Sequence, residues 1–199
     1  MADLTGHDIG RYHVIEQLGQ GGMATGYKAF DSRLDRDVAI KVIRMGSLAP
    51  DGAEHMLKRF EREGKSLAKM MHPNIVPIYD YEEYEGSPYL VMAYIPGGTL
   101  KSQTGKAMPH SQAAHLLAPV AHALAYVHSQ NIIHRDVKPA NILITSSGQP
   151  MLSDFGVAKI LENEEGNTLT GAGVGVGTPE YMAPEQWMNK VVPQTDIYA

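Results

Sequence analysis

The sequence contains no cysteine, and this absence excludes several kinds of chemistry. Disulfide bonds, thiolate nucleophiles and cysteine-based zinc sites all require cysteine sulfur. Long apolar runs are also missing, since no stretch approaches the ~20 apolar residues of a membrane-spanning helix. The segment Met1–Gly10 lacks the apolar core of a signal peptide. We therefore expect a soluble, cytoplasmic chain, although a longer parent protein could carry a membrane anchor after residue 199.

Charge of one sign is not concentrated anywhere in the sequence. The formal net charge is −5, and neither basic nor acidic residues form a block. Proteins that bind nucleic acid or anionic membranes usually carry a basic patch. Neither nucleic acid nor an anionic membrane is therefore expected as a partner. The chain has 199 residues, 43% of them hydrophobic, which is enough for a sizeable core.

The first half of the chain is rich in the β-branched and aromatic residues that are typical of strands. Its densest apolar run is Val38–Ile43, and helical periodicity covers Glu54–Met71. Further strands are predicted at Tyr12–Leu18, Ile75–Tyr81 and Tyr89–Tyr94.

The second half of the chain is mainly helical in pattern. Pro96-Gly97-Gly98 ends the strand pattern. Ser111–Gln130 is then periodic, although Pro119 lies inside it, where proline costs ~3 kcal/mol in an ordinary helix. Two short strands are predicted around Ser146-Ser147-Gly148. A strand-rich half followed by a helical half predicts an α+β fold in two lobes. The apolar stripe of the long helix comprises Leu117, Val120, Leu124 and Val127.

Glycines cluster between two predicted strands, at Leu18-Gly19-Gln20-Gly21-Gly22 and again at Gly26. Without a Cβ, a glycine backbone can approach a bulky anion, and its N–H groups can face phosphate oxygens. Taken alone, such a cluster more often marks an ordinary turn.

Lys41 lies within an apolar strand, where an unpaired ammonium group is costly. It could be the snorkelling lysine of an edge strand, or it could have a charged partner. Glu63 shares the inward face of the predicted helix with Phe60 and Leu67. Glu63 is therefore either a glutamate at the rim of an interface or the partner that orients Lys41 toward a phosphate.

The most informative segment is His134-Arg135-Asp136-Val137-Lys138-Pro139-Ala140-Asn141, which Asp154-Phe155-Gly156 follows. Phosphoryl transfer needs a carboxylate near the attacking hydroxyl, a cation on the γ-phosphate and oxygen ligands for Mg²⁺. The acidic, basic and amide side chains of these two segments supply that set in the right order. A polar loop without chemical function is a weak alternative.

With these motifs the chain resembles the eukaryotic-type (Hanks-type) protein kinase family, and within it the bacterial serine/threonine kinases. The resemblance implies an N-terminal tail at 1–11 and a kinase domain at 12–199. It also implies an N-lobe at 12–95 with a five-stranded antiparallel sheet and one helix, and an incomplete, mainly helical C-lobe at 96–199. The matching segments are Leu18–Met23, Val38–Lys41, His72–Val76, His134–Asn141, Asp154–Gly156 and Gly177–Glu185.

The resemblance implies transfer of the γ-phosphate of ATP to serine or threonine of protein substrates, with Mg²⁺ or Mn²⁺ as the metal. The implied enzyme is a non-specific serine/threonine kinase of bacterial signalling that could self-associate for autophosphorylation. Asp136 would act as the base, Lys138 would touch the γ-phosphate, and Lys41, fixed by Glu63, would hold the other phosphates. Asn141 and Asp154 would hold the metal. The implied nucleotide-binding residues are Leu18, Gly19, Gln20, Gly21, Gly22, Gly26, Ala39, Lys41, Met92, Ala93, Ile95, Lys138, Asn141 and Asp154.

The resemblance also implies regulation through the segment Glu162–Gly177. Arg135 would read a phosphate on this segment, because a guanidinium beside the base pairs well with an anion. Thr168 and Thr170 are the nearby acceptors, and Thr178 would brace the catalytic loop.

Two departures bear on activity. Gly26 stands where the family usually has the valine that covers the adenine, a loss of roughly 1–3 kcal/mol by burial arithmetic. Gly64 lies inside a helix, where glycine costs about 1 kcal/mol relative to alanine. Gly26 and the C-lobe helices that these 199 residues lack favour the alternative function, which is a catalytically weak or inactive nucleotide-binding fragment similar to a pseudokinase.

The end of the sequence raises a further expectation. Asp196 resembles the aspartate that holds the catalytic loop, and Ala199 follows only three residues later. We expect the loop to lose this anchor, and the apolar face of Val120, Leu124 and Val127 to lack its cover. Glu185 would also lack the arginine that usually pairs with it.

Overall fold

The computed structural model describes residues 3–22, 24–45, 50–105, 107–155, 179–188 and 190–199. The chain divides into two compact units. Unit 1 comprises Met1–Lys69 and Pro77–Tyr94, and unit 2 comprises Met70–Val76 and Ile95–Ala199. Among the described residues, none of the helices combines the length and the hydrophobicity that crossing a bilayer requires.

Unit 1 is built on a six-stranded antiparallel sheet with the order β1-β2-β3-β4-β6-β5. The four strands predicted by range each overlap a strand of this sheet, and β3 completes the five strands that the resemblance implies. The sixth is the two-residue strand β1, which comes from residues predicted as a tail. Ile9 of β1 is fully buried, so this segment contributes to the core. The strands are β1 (Asp8–Ile9), β2 (Tyr12–Gln20), β3 (Ala24–Asp31), β4 (Arg36–Ile43), β5 (Ile78–Tyr84) and β6 (Ser87–Ala93).

The core of unit 1 follows from alternation along the central strands. Val38, Ile40 and Val42 of β4 are fully buried, as a strand with one apolar face requires. Tyr12 is also fully buried, and burial raises the pKa of its hydroxyl to about 12. This hydroxyl is therefore neutral at physiological pH.

One helix, α1 (Pro50–Leu67), belongs to the same unit. Its inward residues Phe60 and Leu67 are buried, and the Phe60 ring meets Tyr81 edge-on with 6.5 Å between centroids. A Cβ added to Gly64 would stand 3.6 Å from Tyr81, which is ordinary van der Waals contact. Glycine at this position is therefore not required by space.

Unit 2 combines helices with a small hairpin. The helix α3 is continuous through Pro119, and it packs against β8 and α4. The elements are α2 (Leu100–Gln103), α3 (His110–Ser129), β7 (Ile142–Ile144), β8 (Pro150–Leu152) and α4 (Pro193–Tyr198), with 3-10 turns at Pro139–Asn141, Pro179–Tyr181 and Pro184–Met188.

The expectation of an uncovered apolar face on α3 was wrong. Val120, Leu124 and Val127 are between 0% and 4% exposed, because β8 and α4 pack on this face. Leu117, one turn earlier in the same stripe, is 51% exposed. Only the first residue of the predicted stripe lies outside the core of unit 2.

The predicted strand Ile75–Tyr81 is divided between the two units. The Val76 N–H donates to the Leu152 carbonyl at 3.0 Å, and the Leu152 N–H donates to the Asn74 carbonyl at 2.8 Å. The first part of the segment therefore pairs with β8 in unit 2. The second part begins β5 at Ile78 in unit 1.

Candidate active site

The residues predicted for chemistry in unit 2 come together between α3 and β7. Lys138 Nζ lies 2.7 Å from Asp136 Oδ2. Asn141 Nδ2 donates to the same oxygen at 2.9 Å and to the Asp136 main-chain carbonyl at 2.7 Å. The structure thus brings the cation and the amide of the predicted set to one carboxylate oxygen.

His134 is fully buried, and its ring supports the backbone of Asp136. Its Nε2 lies 2.7 Å from the Ser153 carbonyl, which can only accept, so Nε2 carries the proton. Its Nδ1 then accepts the Asp136 N–H at 3.3 Å. This arrangement requires a neutral ring. Burial lowers the pKa of His134, which also favours the neutral form.

Asp196 anchors the loop before the catalytic carboxylate. Its Oδ2 accepts the His134 N–H at 2.8 Å, and its Oδ1 accepts the Arg135 N–H at 2.7 Å. His128 Nε2 of α3 lies 2.7 Å from Oδ2. The expectation that the loop loses this anchor was wrong, since Asp196 is 3% exposed and holds both N–H groups.

Arg135 has a backbone conformation that is uncommon for a residue with a side chain, with φ at +71°. Gln186 contacts the same residue from the segment 179–188, and its Nε2 donates to the Arg135 carbonyl at 2.9 Å. Its Oε1 accepts the Ala183 N–H at 3.0 Å. Sequence reasoning missed Gln186, because nothing in a linear pattern shows which carbonyl a glutamine reaches.

The two predicted metal ligands lie at neighbouring positions on the hairpin. The Ser153 N–H and hydroxyl both donate to the Asn141 carbonyl, at 2.8 and 3.0 Å, and Asp154 follows Ser153 directly. Because Asp136 uses the Asn141 amide nitrogen, the amide oxygen is the atom suited to a metal. Carboxylate and amide oxygens are ligands that Mg²⁺ and Mn²⁺ prefer, so these residues fit such an ion.

Asp154 also lies at a strained backbone position, with φ at +67°. The following ring, Phe155, is 4% exposed and lies 4.6 Å from the His134 ring. A backbone conformation of this kind persists where the surrounding contacts impose it, and such conformations are concentrated at functional sites. The predicted metal ligand is therefore held by its neighbours in one conformation.

The glycine cluster forms a hairpin in unit 1. Gly19 pairs with Gly26 across β2 and β3, and the Gly21 N–H donates to the Ala24 carbonyl at 2.9 Å. A Cβ at Gly19 or Gly22 would meet no described atom within 4 Å. The backbone φ angles of these glycines also lie outside the left-handed range, so neither turn geometry nor space within the described residues requires glycine there.

Lys41 lies on β4, which has β3 on one side and β6 on the other. The alternative of a snorkelling edge-strand lysine was therefore wrong, because β4 is an inner strand. The Glu63 side chain is 13% exposed, and its Oε1 lies 3.2 Å from Arg62 Nη2. The ion pair between Lys41 and Glu63 stays a prediction.

The residues predicted to bind adenine lie on and after β6. Met92 is 8% exposed and pairs with Ala39 of β4. The Ala93 N–H donates to the Pro77 carbonyl at 3.0 Å. Ile95 belongs to unit 2 and is half-buried.

Several predicted regulatory residues lie outside the described part of the chain. These are Thr168, Thr170 and Thr178, together with Gly156 of the metal-binding motif. Glu185 is described, and its Oε1 accepts a hydrogen bond from the Thr195 hydroxyl at 2.9 Å. Thr195 therefore contacts the carboxylate that was expected to lack its usual arginine partner.

The chain is similar to known proteins along nearly its whole length. The protein kinase domain model matches residues 12–199. The probable serine/threonine-protein kinase PknB of Lactococcus lactis is 40% identical over 193 residues, and the serine/threonine-protein kinase PrkC of Bacillus subtilis is 39% identical over 194 residues. These alignments include 95% and 96% of this chain but 30% and 29% of the relatives. The chain thus spans less than a third of their length.

Solved structures give the same fold. The apo form of PpkA-294 matches with a TM-score of 0.81 at 27% identity, covering 98% of this chain and 74% of that chain. The PknI kinase domain of Mycobacterium tuberculosis matches with a TM-score of 0.73 at 26% identity, covering 98% of this chain and 71% of that chain.

Proposed function

Because this chain belongs to the protein kinase domain family, we propose that it transfers the γ-phosphate of ATP to serine or threonine hydroxyls of protein substrates. The relatives named above are serine/threonine kinases of bacteria, and Lys138-Pro139 in the catalytic loop resembles that branch. We place the proposed kinase domain at 12–199, with its N-lobe at 12–95. We also propose a role in bacterial signalling, which the bacterial origin of these relatives supports, and a location in the cytoplasm, where ATP is available.

The observation that carries the proposal is the arrangement around Asp136. Its Oδ2 is shared by Lys138 at 2.7 Å and Asn141 at 2.9 Å. Two donors on one oxygen fix the carboxylate, so Oδ1 can face a substrate hydroxyl and accept its proton. Lys138, which contacts the same carboxylate, would then neutralise the charge that develops on the transferred phosphoryl group.

Asn141 and Asp154 would hold Mg²⁺ or Mn²⁺, and the ion would neutralise phosphate charge during transfer. Among the described residues, no group of three or more histidine, aspartate and glutamate side chains is arranged so that it could hold a metal ion. A protein site of one carboxylate and one amide nevertheless suits Mg²⁺, which usually keeps its water and phosphate ligands.

The residues of unit 1 would bind the nucleotide. Glycines at positions 19 and 22 have no conformational or steric reason among the described residues, which supports a role in letting phosphates approach the backbone. Lys41 on the inner strand β4 would contact the phosphates, and Glu63 would orient it. The backbone of Ala93, and that of Ile95, which belongs to unit 2, would contact adenine.

Regulation by phosphorylation is part of the same proposal. Arg135 would pair with a phosphate on Thr168 or Thr170, and Thr178 would brace Asp136 and Lys138. Self-association of two copies would allow autophosphorylation. The inactive alternative is not favoured, since each residue type that phosphoryl transfer needs is present.

Autophosphorylation with [γ-³²P]ATP and Mg²⁺ tests the proposal, with Asp136→Asn as the paired variant. The native protein should incorporate label, and Asp136→Asn should lose at least about 99% of the rate, since Asn cannot accept the proton. Asp35→Asn, at an exposed turn in unit 1, is the matched control and should keep the native rate. Equal labelling of Asp136→Asn and native protein would contradict the proposal.

A further inference from the structure

We infer that Gln186 is a positioning residue for the catalytic carboxylate Asp136, acting through the main-chain carbonyl of Arg135. The inference deepens the proposed function, on which its kinetic part rests. It assigns a role to a side chain that contacts neither the proposed metal ligands nor the proposed base.

The peptide group between Arg135 and Asp136 is held at both ends. Gln186 Nε2 donates to its carbonyl oxygen at 2.9 Å. Its N–H, which belongs to Asp136, donates to His134 Nδ1 at 3.3 Å. Because a peptide group is planar, fixing both ends sets the orientation of the plane from which the Asp136 Cα and its side chain extend.

Arg135 needs such external support. Its φ of +71° is a conformation that is unfavourable for a residue with a Cβ and persists only when the surroundings impose it. Asp196 holds the N–H of Arg135 at 2.7 Å, and Gln186 holds its carbonyl. The two side chains together clamp Arg135 from both sides of its Cα.

An amide is the group that this position requires. Gln186 Oε1 accepts the Ala183 N–H at 3.0 Å, while Nε2 donates to the Arg135 carbonyl. A flipped amide would set donor against donor and acceptor against acceptor, so the orientation is determined. A carboxylate would lose the donor, and a thioether would lose both bonds.

Gln186 also connects two functional segments. It lies in the 3-10 turn Pro184–Met188, and Ala183, which it contacts, is fully buried. These residues come shortly after the segment 162–177, which contains the proposed phosphorylation sites. The position of the turn and the conformation of Arg135 are therefore linked through one side chain.

Steady-state kinetics of the purified protein test the inference, with Gln186→Met, Gln186→Glu and the control Gln112→Met on an exposed turn of α3. We expect kcat to fall about tenfold in both Gln186 variants while KM for ATP stays within about twofold. Gln112→Met should keep the native kcat. Native-like kcat in both Gln186 variants, or a fall that matches a loss of folded protein in thermal melts, would overturn the inference.

The pH profile distinguishes positioning from a purely structural role. When it is protonated, the carboxyl group introduced by Gln186→Glu regains one O–H donor. Because this group faces a carbonyl oxygen, its pKa is expected to be raised, so it is protonated at a higher pH than an ordinary glutamate. The ratio of Gln186→Glu activity to native activity should therefore rise as pH falls from about 8 to about 5.5, while the ratio for Gln186→Met stays constant. A constant ratio for both variants would overturn the inference.

Hydrogen exchange provides a readout that needs no turnover. In Gln186→Met, amides of the loop 134–141 should exchange at least about tenfold faster than in the native protein, while those in the middle of α3 stay unchanged. Unchanged loop exchange would overturn the inference. If the native protein lacked phosphotransfer but the loop exchange rose as expected, the proposed function would fail and the positioning role would stand.

Discussion

The substitution Asp196→Asn would test how strongly the catalytic loop depends on one buried carboxylate. Asp196 is 3% exposed and receives three donors: the Arg135 N–H at 2.7 Å, the His134 N–H at 2.8 Å and His128 Nε2 at 2.7 Å. Asparagine preserves the shape of the side chain but replaces one oxygen by an NH₂ group. The change therefore isolates hydrogen bonding from packing.

The magnitude follows from counting donors and acceptors. Whichever way the new amide turns, its NH₂ group faces at least one backbone N–H, which loses its acceptor. A hydrogen bond to a charged group is worth ~1.5–3 kcal/mol, and a buried donor without a partner costs ~1–3 kcal/mol more. We therefore expect the free energy of unfolding to fall by about 3 kcal/mol. Because Asp136 follows the affected peptides, kcat should fall at least about tenfold.

Urea denaturation and steady-state kinetics measure these two effects. Asp8→Asn is a suitable control, because Asp8 has a 73% exposed side chain paired with His13 on the surface. Surface pairs of this kind contribute about 0–1 kcal/mol, so this variant should resemble the native protein. A free energy of unfolding for Asp196→Asn within about 0.5 kcal/mol of the native value would refute the reasoning.

Three further predictions concern other parts of the chain. Burial lowers the pKa of His134 below its usual 6.5, so below about pH 6.5 the unfolded chain binds a proton at this residue and the native state does not. The free energy of unfolding should therefore decrease as pH falls below about 6.5. A His134→Gln variant with the same pH dependence in urea titrations would contradict this. A Cβ on Gly97 would overlap the Ile144 carbonyl oxygen, so Gly97→Ala should lower the free energy of unfolding by about 3 kcal/mol or more. Gly64→Ala has room for its Cβ and should raise the free energy of unfolding by about 1 kcal/mol. Thermal melts in which both variants shift the melting temperature in the same direction would contradict this. Gly26→Val places its Cβ 3.8 Å from the nearest described atom and should tighten Mg-ATP binding by roughly 1–3 kcal/mol, and calorimetry that finds equal or weaker affinity would refute the missing contact with adenine.

Local periodicity was sufficient to predict most elements of the fold. Alternation in β4 and the helical period of α1 and α3 are properties of neighbouring residues, so they can be read from the sequence. The division of the segment at Ile75 could not, because it depends on hydrogen bonds to Leu152, which lies far along the chain. The burial of Val120 and its neighbours likewise depends on β8 and α4, which no local pattern places on α3.

The candidate site was predictable where a motif lists its residues in order. Asp136, Lys138 and Asn141 lie within six residues of each other, and the structure brings them into contact. The long-range support was harder to predict, because the bond from Gln186 to the Arg135 carbonyl depends on tertiary placement. Sequence alone also left open whether the strand of Lys41 was an edge strand, and strand order answered that question.

The most direct test of the central claim is phosphoamino-acid analysis of a generic protein acceptor, such as casein, after incubation with [γ-³²P]ATP, Mg²⁺ and this protein. The account predicts label on serine and threonine but not on tyrosine. It also predicts that the label disappears with Asp136→Asn and when Mg²⁺ is chelated. Label on tyrosine, or serine and threonine label that persists in the Asp136→Asn variant, would contradict the account.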